Sequence, residues 1–185
     1  MMGTLRVGQV KCLDARVATE SAQTMKDKVS RLLIVNAETA GNKAEWEKFI
    51  RRHLEDIERS DPDLCFKYAS HLSKSGVRGA PGTIKWADVA LENKSRWTGN
   101  TFKTRVLGLH RLRAEAANKL WQDAEQAYTQ NRTDENEERA NKFRGQTKEF
   151  AKAWLDYARA SAQDTKGAMT LCASAAGNDT FCKGG

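Results

Sequence analysis

Apolar residues recur at intervals of three and four along most of the chain, the period of helices that turn one face inward. Met25, Val29, Leu32, Leu33 and Ala40 mark a first stripe that stops at Gly41-Asn42, and Trp46, Phe49, Ile50, His53, Leu54 and Ile57 mark a second. Ser60-Asp61-Pro62 separates these from a third stripe of Leu64, Cys65, Tyr68, Ala69 and Leu72. Asp61 can cap that third helix through its side-chain oxygen, while Pro62 takes the first turn, where a missing N–H costs nothing. The third stripe stops at Ser75-Gly76, VRGAPG at 77–82 reads as a loop, and Ile84, Ala87, Ala90 and Leu91 define a fourth helix. Ahead of all four, Leu5, Val7 and Val10 alternate enough for one strand or an extended arm over residues 1–18.

Beyond Thr98-Gly99-Asn100 the pattern lengthens. Phe102 to about Tyr128 contains no breaker except Gly108 and reads as one long helix. On a wheel of about 100° per residue, Phe102, Val106, Leu109, Ala116, Leu120, Ala124 and Ala127 share one face. Leu107, Ala114, Trp121 and Tyr128, each seven apart, share a second. A helix with two apolar faces is packed on two sides. Thr133, followed by Asp134, Glu135, Glu137 and Glu138, is a capped and charge-matched helix start. The helix it opens runs to about Gln163 and folds back on its predecessor as a long hairpin. Asp164-Thr165 restarts a short helix with Met169, Leu171 and Cys172 that ends before Gly177, and 177–185 reads as a flexible tail. The expected architecture is all-α: stacked antiparallel helical hairpins, two short pairs, then a long hairpin and a short C-terminal helix, forming a single domain over 19–176.

The two short hairpins look like copies of one unit. A shift of 33 residues aligns Leu32 with Cys65, Val35 with Tyr68, Ile50 with Thr83, Leu54 with Ala87 and Ile57 with Ala90. Tyr68-Ala69, Leu72, Gly76, Ala87 and Ala90-Leu91 follow a small-residue pattern that resembles the tetratricopeptide repeat, and Ser60-Asp61-Pro62 is similar to that family's turn between repeats. The resemblance covers residues 26–95. It implies a scaffold that binds an extended peptide or helix on the concave surface made by the first helix of each pair. Carried over, it would put Phe66, Ser70 and Ser73 in the groove, with Lys67 and Lys74 near its rim. Leu33, Ala37, Phe66 and Ser70 stand where some relatives grip a C-terminal carboxylate, so chaperone-tail binding is not expected.

Charge adds one localised feature. The chain has 185 residues, 31 Lys plus Arg and 24 Asp plus Glu, for a net +7. Residues 94–119 hold seven basic residues against Glu115 alone, which accounts for six of those net charges. This permits an acidic protein or peptide as partner, or nucleic acid as the alternative, with Trp97 and Phe102 among the basic residues as base-stacking candidates. The basic side chains, however, lie around the helix instead of along one stripe. Arg105 and Arg113 fall within or beside its apolar face, where a guanidinium needs a partner. Each is held in an internal ion pair, snorkels on its aliphatic stem, or forms a basic lining for an acidic ligand segment.

Catalytic and metal chemistry have no sequence signal. His53, His71 and His110 occur singly, without metal-ligand spacing, and VRGAPG lacks the lysine and hydroxyl of a phosphate loop. No cofactor, metal or enzymatic activity is expected. Of Cys12, Cys65, Cys172 and Cys182 none forms a CxxC pair, so core or free thiols are expected, with a Cys172–Cys182 loop closure open to an exported protein. No apolar run approaches the ~20 residues of a bilayer span. MMGTLRVGQVKCL lacks the apolar core of a signal peptide, so a cytoplasmic location is the default, with export or a periplasmic location as the alternative for a fragment of a longer protein.

Overall fold

The computed structural model describes residues 22–97, 101–177 and 180–183. Every element among them is helical, and no strand occurs among the described residues. The strand or arm read over 1–18 lies outside them. The chain divides at Arg59/Ser60 into two compact units, where the pattern alone suggested one domain.

The first unit is a two-helix hairpin of α1 (Ala22–Thr39) and α2 (Lys43–Asp56). Gly41 makes the turn with φ +68°, a left-handed conformation that favours glycine. Asn42 then caps α2: its side-chain oxygen accepts from the Glu45 backbone N–H at 3.2 Å, and its amide donates to the Glu45 carboxylate at 2.9 Å. The face α1 turns inward carries Ser30, Ile34 and Ala37, while Ile50, His53 and Leu54 are the buried residues of α2. This corrects the expected inward stripe of α1, because Val29, Leu32 and Leu33 stay exposed. The small side chains of Ser30 and Ala37 give the hairpin a narrow seam that Ile34 fills.

The second unit begins with α3 (Pro62–Leu72) and α4 (Gly76–Glu92), joined by a 3-10 turn at Ser73–Ser75. Asp61 caps α3 as expected, its Oδ1 accepting from the N–H of Asp63 at 2.9 Å and of Leu64 at 3.1 Å. The expected VRGAPG loop is instead the first part of α4, with Pro81 inside the helix. The glycines explain the difference. A Cβ at Gly79 would overlap the Leu72 carbonyl oxygen, and one at Gly82 would fall 2.8 Å from Leu72 Cδ1. These residues therefore serve close helix contact instead of turn geometry.

The long helix α5 (Phe102–Gln130) packs against α4 and against α6 (Asp134–Ala160), as its two apolar faces predict. Ala116, Ala117 and Leu120 meet Ala80 and Ile84 of α4, with Phe143 and Phe150 of α6 closing the cluster. Ala114 joins a separate cluster with Ala151, Trp154 and Leu155 of α6, which also includes Ala168 and Cys172 of α7 (Lys166–Ala176). Thr133 caps α6 by accepting from the Asn136 N–H at 3.3 Å.

The end of the chain departs from the flexible tail expected there. Gly177 closes α7 at φ +76°, and Cys182, in the short α8 (Thr180–Lys183), is bonded to Cys172 and fully buried. With a separation of 10 residues, closing such a loop stabilises the folded state by about 3 kcal/mol through the entropy of the unfolded chain.

Candidate interaction surfaces

The residues singled out from sequence fall into three settings. Phe66 is half-buried: its ring meets Trp97 edge-on, with centroids 6.4 Å apart, and lies over Gly108, where a Cβ would come within 3.1 Å of it. Arg105 joins the same group, ion-paired with Asp63 and 5.6 Å from the Trp97 ring centre. Ser70 and Ser73 form a second group. The Ser73 hydroxyl donates to the Ser70 carbonyl at 2.9 Å, and Lys119 reaches across from α5 to donate to the Ser73 carbonyl at 2.8 Å. Lys67 and Lys74 are exposed beside these groups.

Arg113 stands apart. Its Nε lies 2.7 Å from Asp88 Oδ1 of α4, and its guanidinium carbon sits 4.0 Å from the Phe150 ring centre, which leaves the side chain 19% exposed. Burial raises the Asp88 carboxyl above its ordinary range while Arg113 opposes the rise; burial likewise lowers Arg113, with Asp88 countering. The pair is thus a partly desolvated bridge between α4 and α5, with Arg113 shielded and Asp88 37% exposed. One helical turn back, His110 packs against the Tyr157 ring at 5.2 Å. Burial first, then the charges of Arg113 and Lys94, push its pKa down to about 4, so the imidazole is neutral near pH 7. Burial also raises the Tyr157 hydroxyl.

The basic segment is largely engaged within its own unit. Arg96 donates to the Ser60 carbonyl and hydroxyl, both at 2.7 Å, and Arg111 lies 3.8 Å from Glu115. Trp97 is 7% exposed, which removes it as a base-stacking platform.

Two surfaces were not singled out from sequence. The first is on α1, where Val29, Leu32, Leu33 and Val35 are 54%, 59%, 40% and 53% exposed. Beside them, a cleft of about 420 Å³ opens between α1 and α2, lined by Met25, Val29, Leu33, Phe49 and Ile57 together with Lys26, Arg52 and Asp56. The signal was present in the pattern: α1 carries apolar residues on two sides, as α5 does. The second surface is a polar groove between α5 and α7, with two adjoining parts of about 510 and 460 Å³ that share Asn118, Gln122 and Ser174. Its signal was a run of uncharged amides at every fourth position. Among the described residues no cluster of three or more His, Cys, Asp or Glu side chains is arranged to hold a metal ion, and no helix is long and apolar enough to cross a membrane.

No protein-family model matches this chain, and no curated protein or solved structure matches it either.

Proposed function

We propose that the chain is a non-enzymatic helical module, of tetratricopeptide-like construction over 26–95, that binds another protein. The observation that carries this reading is the exposed apolar face of α1. Four large aliphatic side chains, each about half exposed on one helix, exceed the scatter of single surface apolar residues and mark an interaction patch. Covering them would stabilise a complex by roughly 1 kcal/mol each. The paired hairpins α1–α2 and α3–α4, with the Asp61-Pro62 start of the second, support the repeat-like reading. The net charge of +7 permits an acidic partner. The Cys172–Cys182 bond supports an oxidising compartment, the exported alternative to a cytoplasmic location.

Affinity purification of the tagged chain from its source, beside a Val29→Asp/Leu32→Asp variant, tests the reading. The expected result is a protein recovered with the unaltered chain and lost with the variant, at unchanged helicity. Equal recovery by both would contradict the role of this face.

A further inference from the structure

We propose that the Cys172–Cys182 bond is a redox-sensitive latch, independent of the α1 face: its reduction by a dithiol releases α8 and opens the apolar cluster that Cys182 helps close, while α6 and α7 stay paired. Cys182 belongs to the same buried cluster as Trp154 and Leu155 of α6 and Ala168 and Cys172 of α7. Both bonded cysteines are fully buried. The element that carries Cys182, however, is a single turn of four residues. A helix that short does not hold itself together, because its nucleus fixes several backbone angles for the first hydrogen bond.

The surroundings of the bond show which side gives way. Toward α8, Arg159 Nη2 donates to the Cys182 carbonyl at 3.1 Å from a side chain that is 36% exposed. Lys148 Nζ lies 4.1 Å from the centre of the Phe181 ring, which is itself 40% exposed. Water competes for both contacts, so each offsets little of the entropy lost in ordering the turn. Toward α7 the arrangement differs. Its 11 residues bury Ala168, Cys172 and Ala175, and Arg144 Nε of α6 donates to the Ala175 carbonyl at 2.9 Å. The covalent bond is therefore what seats α8, whereas α7 has packing of its own.

Access to the sulfurs follows from the same asymmetry. Unwinding the one turn of α8 uncovers them while the bond is intact, a far smaller opening than the unfolding of α6 or α7. A thiolate of the dithiol attacks Cys182 Sγ, the S–S bond breaks, and Cys172 leaves as a thiolate that takes up a proton. The second thiolate of the reductant then displaces the Cys182 sulfur, which is protonated in turn, and closes the reductant's own disulfide. Two electrons and two protons pass from the dithiol, and both cysteines end as thiols.

Chymotrypsin digestion of the full chain, first oxidised with glutathione disulfide and then treated with dithiothreitol in native buffer, tests this. Cleavage after Phe181 should become about tenfold faster on reduction, with Cys172 and Cys182 both open to iodoacetamide and the far-UV helical signal retained. Cys182→Ser should show the fast cleavage without any reductant. Slow cleavage after Phe181 in a chain whose two thiols are confirmed free by mass would overturn the latch, since α8 would then be seated without the bond. Loss of most of the helical signal on reduction would contradict it as well, because the bond would then hold the whole unit. A bond that dithiothreitol reduces only after denaturation would rule out access through α8.

Discussion

The hairpin of residues 22–59 and the helices of residues 60–183 use the same apolar vocabulary to opposite ends. In the second unit α5 carries two apolar faces and both are covered, one by α4 and one by α6, with α7 and the disulfide closing the far cluster. In the first, α1 also carries two apolar faces, yet α2 covers only the one with Ser30, Ile34 and Ala37. Among the described residues of this unit α1 packs against α2 alone, which leaves its second apolar face exposed there. The contrast separates aliphatic residues that hold the fold from aliphatic residues that stay exposed.

The largest expected effect is at the tightest seam of the second unit. Gly79→Ala places a methyl group on the Leu72 carbonyl, so α3 and α4 must move apart; a loss of about 3 kcal/mol is expected in urea unfolding. Gly145→Ala in α6 meets no atom within 4 Å and should instead stabilise by up to ~1 kcal/mol. A similar response from both would mean that the close approach of α3 and α4 is absent in solution.

Next comes a direct comparison of the two kinds of leucine. Leu155 is fully buried and Leu32 is 59% exposed. Leu155→Ala should cost about 3 kcal/mol, whereas Leu32→Ala should stay within about 0.5 kcal/mol. A large cost at Leu32 would show that the exposed face of α1 supports the fold and would break the contrast.

The arginines sharpen it further. Arg113→Ala removes a shielded guanidinium from the Phe150 ring and from an Asp88 that is 37% exposed, and should lower stability by about 1–2 kcal/mol. Arg105→Ala, where the pair with Asp63 is 36% and 50% exposed, should change it by less than 1 kcal/mol. Thermal melts of the two variants decide this.

The last effect is a pH dependence. His110 is held at about 4, below the 6.5 of an unconstrained histidine, so between these values the unfolded chain binds more protons than the folded one. The His110 contribution is therefore fully present above about 6.5 and is lost as pH falls toward about 4. His110→Phe should flatten the stability profile in that window; a profile unaltered by the substitution would place the imidazole in water.

Much of this architecture was legible in the sequence because local signals agreed with the fold. Asp61-Pro62, Gly41-Asn42 and Thr133 mark helix ends through short-range capping that depends on few distant contacts. The two-sided pattern of α5 likewise reports its two neighbours. VRGAPG misled because glycine and proline have two uses, and only the proximity of Leu72 distinguishes a turn from a close helix crossing. The candidate site was less legible: Phe66 and Arg105 look like groove residues until Trp97, Gly108 and Asp63 are seen against them. On α1 the aliphatic residues were easy to find, but which face turned inward depended on the fit of Ile34 beside α2, which spacing does not encode.

The central claim, that the outer face of α1 meets another protein, is tested most directly by a photo-crosslinking amino acid at position 32, with position 145 as an exposed control on α6. In the cell of origin, position 32 should give a crosslinked band of higher mass that contains a second protein, and position 145 should give none. Crosslinks from position 32 that remain entirely within the chain would contradict the claim.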